Sequence, residues 1–487
     1  MKKSSIKRRN QNEEKVHNWK SLRTTRDDLS LDRTLPTGQS FRWQKVEEYD
    51  DDENEKKYST YVGVIGRRVV QIRERMEFEE EEEKSSSTTT IEFRVLNNNE
   101  SNICKNEDRE NEREGEEEEQ VTKDVRAYFN LDDPIPLKDL FEQFSKADPY
   151  RFGRLSAYVR GARTLRQPPA ECLISFVCSS NNNIARIKRM VESLCEKYGE
   201  ELVCNVSSSS RSSSGSGGSA KDDDEENEVN DKEEEEESKI YHAFPTVEQL
   251  AEKCDEQTLR DLGFGYRAKF IPAMAKELIK RGGEAYLLKL RDAPQTEEEK
   301  YRAITELTSL PGVGPKVAGC AALFSLDKKS VVPVDTHVWQ LAREHFDPNG
   351  ELASMETTTA SPSKKASEAA ATTKGNANEE EAEQQRHKES STPTTPTKQK
   401  DKPLSITPKM MKKCEEMLVS IYGAYAGYAH TALFVAELPT VRESLPEHLR
   451  TPTKADKKRG EKNEKKPKKK KRKFLVDGEN KSDDDGA

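Results

Sequence analysis

The stretch LTSLPGVGPKVAGC, Leu307 to Cys320, dictates a tight turn followed at once by a helix. Two glycines flank Val313, and Pro315 and Lys316 follow. Gly312 and Gly314 permit backbone geometry that brings main-chain amides close to a ligand. Pro315 suits the first helical position, because the amide hydrogen it lacks would have no intrahelical acceptor there. Free amides at such a helix start bind phosphate without reading base sequence. Lys316 is then either one more phosphate contact or a nucleophile, and the turn alone favours the contact.

The rest of the chain must supply a core for this turn, and composition says that much of it does not. Of 487 residues 32% are hydrophobic and 36% charged, against roughly 45–50% apolar and about 25% charged in ordinary globular domains. Residues 221–238 carry twelve acids and two lysines, a local −10 that accounts for the net charge of −9. Arg160 to Arg189 is the opposite, with Arg160, Arg163, Arg166, Arg186, Lys188 and Arg189 against Glu171 alone. A basic working surface beside acidic solvated inserts is compatible with DNA binding. The eight cysteines include no C-x-x-C pair, which argues against a zinc site or an iron–sulfur cluster. No apolar run approaches the ~20 residues of a membrane span, and MKKSSIKRRNQNEEK has no apolar signal-peptide core.

The pattern divides the chain. Residues 1–16 are a charged, disordered terminus, and 17–130 a β-rich domain. YSTYVGVIGRRVVQIRE (58–74) reads as a hairpin turning near Gly66, and Ile91, Phe93 and Val95 alternate as in a half-buried strand. Acidic segments at about 77–87 and 98–120 are too charged for core. Residues 131–450 carry apolar positions at helical spacing, interrupted by inserts 205–238 and 350–404. Those inserts cannot bury enough apolar surface to offset chain entropy and are expected to be disordered. Residues 451–487 form a basic tail, and KKPKKKKRK at 465–473 reads as a nuclear address or a nucleic-acid patch.

LPGVGPK is a helix–hairpin–helix signature, and a second motif shifts the reading of its lysine. VVPVDTHVWQLAREHF puts Asp335 at the mouth of an amphipathic helix, nineteen residues after Lys316. An N-cap aspartate stays ionised and can stabilise a cationic sugar. The positive end of the helix dipole and partial burial both favour a neutral amine at Lys316, as a nucleophile requires. Cys320 shares a helical face with Lys316, and His430 with Phe434. A planar base would fit between a thiol and a phenyl ring, although each of these residues taken singly is more often core. SSNNNIARIKR (179–189) presents amides and arginines suited to base edges. LGFGYRAKF (262–270) offers Tyr266 as a wedge and Arg267 as a reader, or an ordinary loop closed by a tyrosine.

Six collinear stretches, LPTGQSFRW, ECLISFVCSSNNNIARI, LGFGYRAKF, LPGVGPKVAGC, VPVDTHVW and YGAYAGYAHTALFVAEL, together resemble the eukaryotic 8-oxoguanine DNA glycosylase/AP lyases of the helix–hairpin–helix superfamily. The resemblance implies that Lys316 is the Schiff-base lysine and Asp335 the catalytic aspartate. It implies a base pocket of Gly38, Cys320, Pro333, His430 and Phe434, with the Gly38 carbonyl sensing the N7 hydrogen of oxidised guanine. Asn181, Arg186 and Arg267 would hold the estranged cytosine, Tyr266 would wedge beside it, and His337 would lie by the lesion phosphate. Gly312 and Gly314 complete the DNA contacts. One departure stands out: the family usually has glutamine where this chain has His430, so selectivity among oxidised purines is open.

The resulting expectation is an α+β protein, a β-rich N-terminal domain with an antiparallel sheet packed on mainly helical helix–hairpin–helix glycosylase domains. It would flip and excise 8-oxoguanine, or a related lesion such as a formamidopyrimidine, opposite cytosine and then nick the strand. A non-catalytic helix–hairpin–helix DNA-binding protein is the alternative. No metal or organic cofactor is required, though the hairpin carbonyls suit a structural cation. Damaged double-stranded DNA is the expected partner, the chain a monomer, with repair proteins reached through the disordered segments. The nucleus is the expected location, with a mitochondrial fraction as a second destination.

Overall fold

The computed structural model describes residues 19–46, 59–77, 88–97, 107–206, 237–359 and 406–452. The chain divides into two compact units, Met1–Leu445 and Pro446–Ala487. Within the first, five antiparallel strands form one sheet: β1 Lys20–Thr25, β2 Trp43–Val46, β3 Thr60–Ile65, β4 Arg68–Glu77 and β5 Thr88–Val95, in the order β1-β5-β4-β3-β2. Ile65 pairs with Arg68 across a two-residue turn, and Gly66 takes φ +61° there. That is the hairpin read from the sequence, and the left-handed first turn position is the reason a glycine occupies it.

Helices of seven or more residues follow: α1 Glu107–Tyr128, α2 Leu137–Ala147, α3 Pro169–Val177, α4 Ile184–Tyr198, α5 Val247–Lys253, α6 Phe270–Arg281, α7 Glu284–Asp292, α8 Glu297–Thr308, α9 Pro315–Ser325, α10 Thr336–His345, α11 Glu351–Thr359, α12 Pro408–Tyr422 and α13 Ala426–Glu437. Between α4 and α5 a second antiparallel pair, β6 Glu201–Val206 and β7 Glu237–His242, carries the chain out and back.

Both faces of the sheet are covered. Leu22, Trp43, Ile72, Ile91 and Phe93 pack on one side with Val125 and Tyr128 at the end of α1. Val62, Val64 and Val69 pack on the other with Leu202 and Cys204 of β6. Strand β3 is therefore apolar at successive positions rather than alternating, as a strand buried on both faces must be.

Three expectations need correction. The acidic stretch 98–120 is not wholly unstructured, since α1 begins at Glu107. It is a charged helix whose last three turns reach the sheet; Lys20 of β1 pairs with Glu118 at 2.9 Å. The insert 205–238 is ordered at both rims, because Val206 pairs with Glu237 in the β6–β7 ladder. The insert 350–404 opens with α11, where Leu352 is fully buried and Glu356 accepts from Trp339 Nε1 at 2.6 Å and pairs with Arg343 at 2.7 Å. In each case local tertiary packing overrides a polar composition. Residues 1–16, 78–87, 207–236, 360–405 and 453–487 lie outside the described residues.

The basic run also proves to be partly structural. Arg163 is only 5% exposed and donates to the carbonyls of Phe129, Asn130 and Asp28. Arg166 pairs with Asp327 at 2.9 Å, and Lys188 donates to the Trp43 carbonyl at 2.9 Å. Arg160, Arg186 and Arg189 keep their exposure.

Candidate active site

Helix α9 is apolar nearly all round and buried from Val317 to Ser325, so it runs through the middle of the helical region. Its N-terminus alone reaches the surface. Gly314 is the N-cap and Pro315 the first helical residue, as expected. The two glycines of the turn differ, however. Gly312 has φ +80°, and a Cβ there would lie 2.6 Å from Phe270 Cβ and 2.7 Å from its Cγ. Gly314 has φ −91° and ψ 174°, with nothing within 4 Å of where a Cβ would stand. The fold requires glycine at the first position and leaves the second open.

Lys316, half-buried in the first turn of α9, donates to Ser179 Oγ at 3.2 Å and lies 5.1 Å from the centroid of the Phe176 ring. Cys320, one turn on, is buried, and burial pushes its thiol up to about 11 against the opposing charge of Lys316. Pro333 packs on Gly319 of the same helix; a Cβ on that glycine would lie 3.3 Å from Pro333 Cα. This contact brings the extended segment 331–335 alongside α9. Asp335 then caps α10, its Oδ1 accepting from His337 N at 2.9 Å and Val338 N at 3.0 Å, which leaves Oδ2 outside the cap.

Helix α13 closes the group. Gly427 N donates to the Lys329 carbonyl at 2.9 Å, and a Cβ on Gly427 would stand 2.5 Å from the Val331 carbonyl oxygen. That close seat holds His430 where it feels both Asp335 and Lys316. His430 is 7% exposed, and burial takes its imidazole down to about 4, so the ring is neutral at pH 7. Neither ring nitrogen has a hydrogen-bond partner of good geometry, although the Gly427 carbonyl, one turn back, acts on the ring. An unpaired buried polar group is costly, so this imidazole is a feature to be explained by what enters the cleft. His430 and Phe434 lie one turn apart with ring centroids 6.3 Å apart. With His337 and Glu437 they line a narrow cleft.

A second corner adjoins this one. Asn181 takes φ +50° in the turn after α3. Tyr266 Oη donates to the Ser180 carbonyl at 3.0 Å, and the Arg267 guanidinium donates to the carbonyls of Ser180 and Asn181. Arg186 reaches the Gly263 carbonyl at 3.2 Å. Tyr266 is 49% exposed, whereas Arg267 is only 3% exposed and stacks 4.5 Å under the Tyr266 ring. Arg267 therefore braces the asparagine turn from within, which the sequence motif did not reveal. Gly38 has φ +83°, and a Cβ on it would approach Ile184 Cδ1 at 3.2 Å, so it lies against the start of α4 beside this turn.

The structure thus collects Lys316, Cys320, Pro333, Asp335, His337, His430 and Phe434 around α9, α10 and α13, and Asn181, Arg186, Tyr266, Arg267 and Gly38 around the turn after α3. Ser179 and Ser180, adjacent in sequence, join the two groups. Sequence reasoning missed Ser179, Phe176, Glu437 and Asp133. The last accepts from Tyr425 and Tyr428, each at 3.0 Å, and pairs with Lys329 at 2.7 Å. These partners lie far apart in the chain, and no spacing signals them.

Residues 21–173 match the family model of the 8-oxoguanine DNA glycosylase N-terminal domain, and residues 174–364 that of the HhH-GPD superfamily base excision DNA repair protein. The chain is 32% identical over 429 residues to the N-glycosylase/DNA lyase OGG1 of Arabidopsis thaliana, covering 88% of this chain and 82% of that one. It is 33% identical over 332 residues to the N-glycosylase/DNA lyase of Saccharomyces cerevisiae, covering 67% and 70%. A solved structure of the Clostridium acetobutylicum 8-oxoguanine glycosylase/lyase with double-stranded DNA is 22% identical at a TM-score of 0.47, covering 86% and 93%. On the two domain matches and the plant and yeast relatives, the chain belongs to the 8-oxoguanine DNA N-glycosylase/lyase family of the helix–hairpin–helix base-excision-repair superfamily.

Proposed function

We propose that this chain excises 8-oxoguanine, or a closely related oxidised purine, from opposite cytosine in duplex DNA and then cuts the strand through an imine at Lys316. The observation that carries the reading is the half-buried amine at the start of α9, sharing its surroundings with a capped aspartate, a buried thiol and an unpaired neutral imidazole. A lysine that merely gripped phosphate would have no use for that company. The Lys316 Nζ lone pair bonds to C1′ as the C1′–N9 bond breaks. The electron pair leaves with the base, which takes up a proton given up by Nζ. The carboxylate of Asp335 stabilises the positive charge that develops on the sugar. Sugar opening gives the imine, and loss of a C2′ proton expels the 3′ phosphate.

Cys320 and Phe434 would flank the flipped base, with Pro333 and the Gly38 carbonyl on its edge. His430, neutral at pH 7, offers one donor or one acceptor to the Watson–Crick edge, not the paired set of an amide. Asn181, Arg186 and Tyr266 would face the estranged cytosine, and Arg267 would support them. His337, Gly312 and Gly314 would meet the backbone. No organic cofactor enters this chemistry, and a cation on the hairpin carbonyls would only help to seat a phosphate. The basic run at 465–473 suits nuclear import.

Borohydride trapping on duplex DNA with 8-oxoguanine opposite cytosine tests the proposal. Wild type should form a covalent adduct and Lys316→Gln none. An adduct that persists in the variant defeats the nucleophile assignment. Binding without any base release would favour a non-catalytic DNA-binding protein.

A further inference from the structure

We propose that Ser179 and Phe176, at the C-terminal end of α3, are positioning residues that orient the Lys316 nitrogen for attack. This rests on the reading of Lys316 as the nucleophile. Ser179 Oγ donates its only proton to the Phe176 carbonyl at 2.7 Å. Toward Lys316 Nζ, 3.2 Å away, it can therefore act only as an acceptor. The second neighbour is the face of the Phe176 ring, 5.1 Å from Nζ at its centroid. An aromatic face is also electron-rich. Both partners attract N–H hydrogens and repel a nitrogen lone pair. With N–H groups turned toward Ser179 and Phe176, the lone pair is left pointing away from α3.

The cradle is stiff. The Phe176 ring is held between Phe41, edge-on at 5.6 Å, and Phe324 of α9, stacked at 5.6 Å with planes 18° apart. Phe324 and Lys316 ride on the same helix, so ring and amine are fixed to one frame. Ser179 sits one residue before Ser180, whose carbonyl accepts from Tyr266 and Arg267. The serine hydroxyl is thus anchored at its own residue by the Phe176 carbonyl and at the next by two side chains.

The chemistry asks for this. An attacking nitrogen on a four-carbon stem has many orientations, and a misplacement of about 1 Å costs up to ~100-fold in rate. Removing the Ser179 acceptor is expected to cost about tenfold.

Four proteins compared side by side test the proposal: wild type, Ser179→Ala, Ser179→Thr and Lys316→Gln. Each is measured for duplex affinity, single-turnover base release with enzyme in excess, and the rate of borohydride-trappable adduct formation. Ser179→Ala should bind 8-oxoguanine·cytosine duplex with wild-type Kd, yet release base and form adduct about tenfold more slowly. Ser179→Thr, which keeps the hydroxyl, should restore both rates. Wild-type rates in Ser179→Ala, with no adduct from Lys316→Gln, would overturn the orienting role and leave the nucleophile intact. A Ser179→Ala loss matched by weaker Kd, or one that threonine does not restore, would make Ser179 a structural residue and also overturn it. Adduct from Lys316→Gln would bring down the nucleophile reading and the cradle with it.

Discussion

Replacing Gly312 and Gly314 by alanine, one at a time, separates the fold's demand on the hairpin from the ligand's. At Gly312 the backbone is left-handed, φ +80°, which costs a non-glycine residue roughly 1–2 kcal/mol. The new Cβ would also stand 2.6 Å and 2.7 Å from Phe270 Cβ and Cγ. Those atoms are the stem of the ring, so relief requires α6 to move, and overpacking of this kind adds about 1–3 kcal/mol. Gly312→Ala should therefore lose roughly 2–5 kcal/mol of stability. At Gly314 the backbone is extended and the space is empty, so only the N-cap preference is lost, about 0.5–1 kcal/mol. On the proposed reading, a phosphate would approach the free amides of α9 at Gly314, and a methyl group there should weaken duplex binding about tenfold or more. Urea unfolding and duplex titration at fixed salt check both. A double variant with Phe270→Ala should regain only the part of the contact loss that comes from the ring atoms, because alanine keeps the Cβ at 2.6 Å, and none of the φ part. Equal stability of the two single variants, or wild-type affinity in Gly314→Ala, would refute the division.

The remaining predictions use the surroundings of the site. Asp133 is held below the usual carboxylate value of 3.8: burial works against ionisation, and the Lys329 bond and charge with the Ile135 amide and Tyr425 outweigh it. Its contribution is present above that value and is lost as pH falls through the lower folded one. Asp133→Asn should cost about 2–4 kcal/mol at pH 7 and lose that part of the acid limb, read by denaturation from pH 6 to pH 2. For His430, burial lowers the ring from 6.5 to about 4, so protonation favours the unfolded chain. Stability should be full above pH 6.5 and fall by roughly 3 kcal/mol between pH 7 and pH 4; His430→Gln should flatten that dependence. The same variant should change the ratio of 8-oxoguanine to formamidopyrimidine excision, and an unchanged ratio would mean that His430 does not read the base. Gly427→Ala would put a Cβ 2.5 Å and 2.7 Å from the Val331 and Lys329 carbonyl oxygens, costing about 1–3 kcal/mol and slowing base release by moving α13 off the Asp335 segment.

The fold was legible where local patterns decided it. The hairpin at Gly66, the buried Ile91 and Phe93 on β5, and Pro315 opening α9 all follow from period and turn chemistry. It was illegible where composition and tertiary contact disagreed. Glu107 to Glu119 holds no apolar residue, and α1 joins the core through Val121, Val125 and Tyr128 near its end. Leu352 and Glu356 looked like the start of a polar insert, yet the first fills the core and the second holds Trp339 and Arg343. A basic run likewise cannot announce which arginines face water, since a guanidinium can satisfy buried carbonyls as readily as phosphates; Arg163 and Arg267 do the former.

For the site, residue types and spacing sufficed to nominate Lys316, Asp335, Cys320, His430 and Phe434, because each lies on an element whose periodicity was clear. What spacing could not reach is the support between elements. Ser179 meets Lys316 across 137 positions, and Asp133 meets Tyr428 across 295. Such contacts are set by how α3, α9 and α13 pack. Their consequence concerns coupling. The side chain of Ser179 bonds the candidate nucleophile, while the carbonyl of Ser180 bonds Tyr266 and Arg267 at the corner proposed for the opposite base. Two consecutive residues of one turn thus serve both halves of the cleft, so a displacement of either half is transmitted to the other through a single peptide unit.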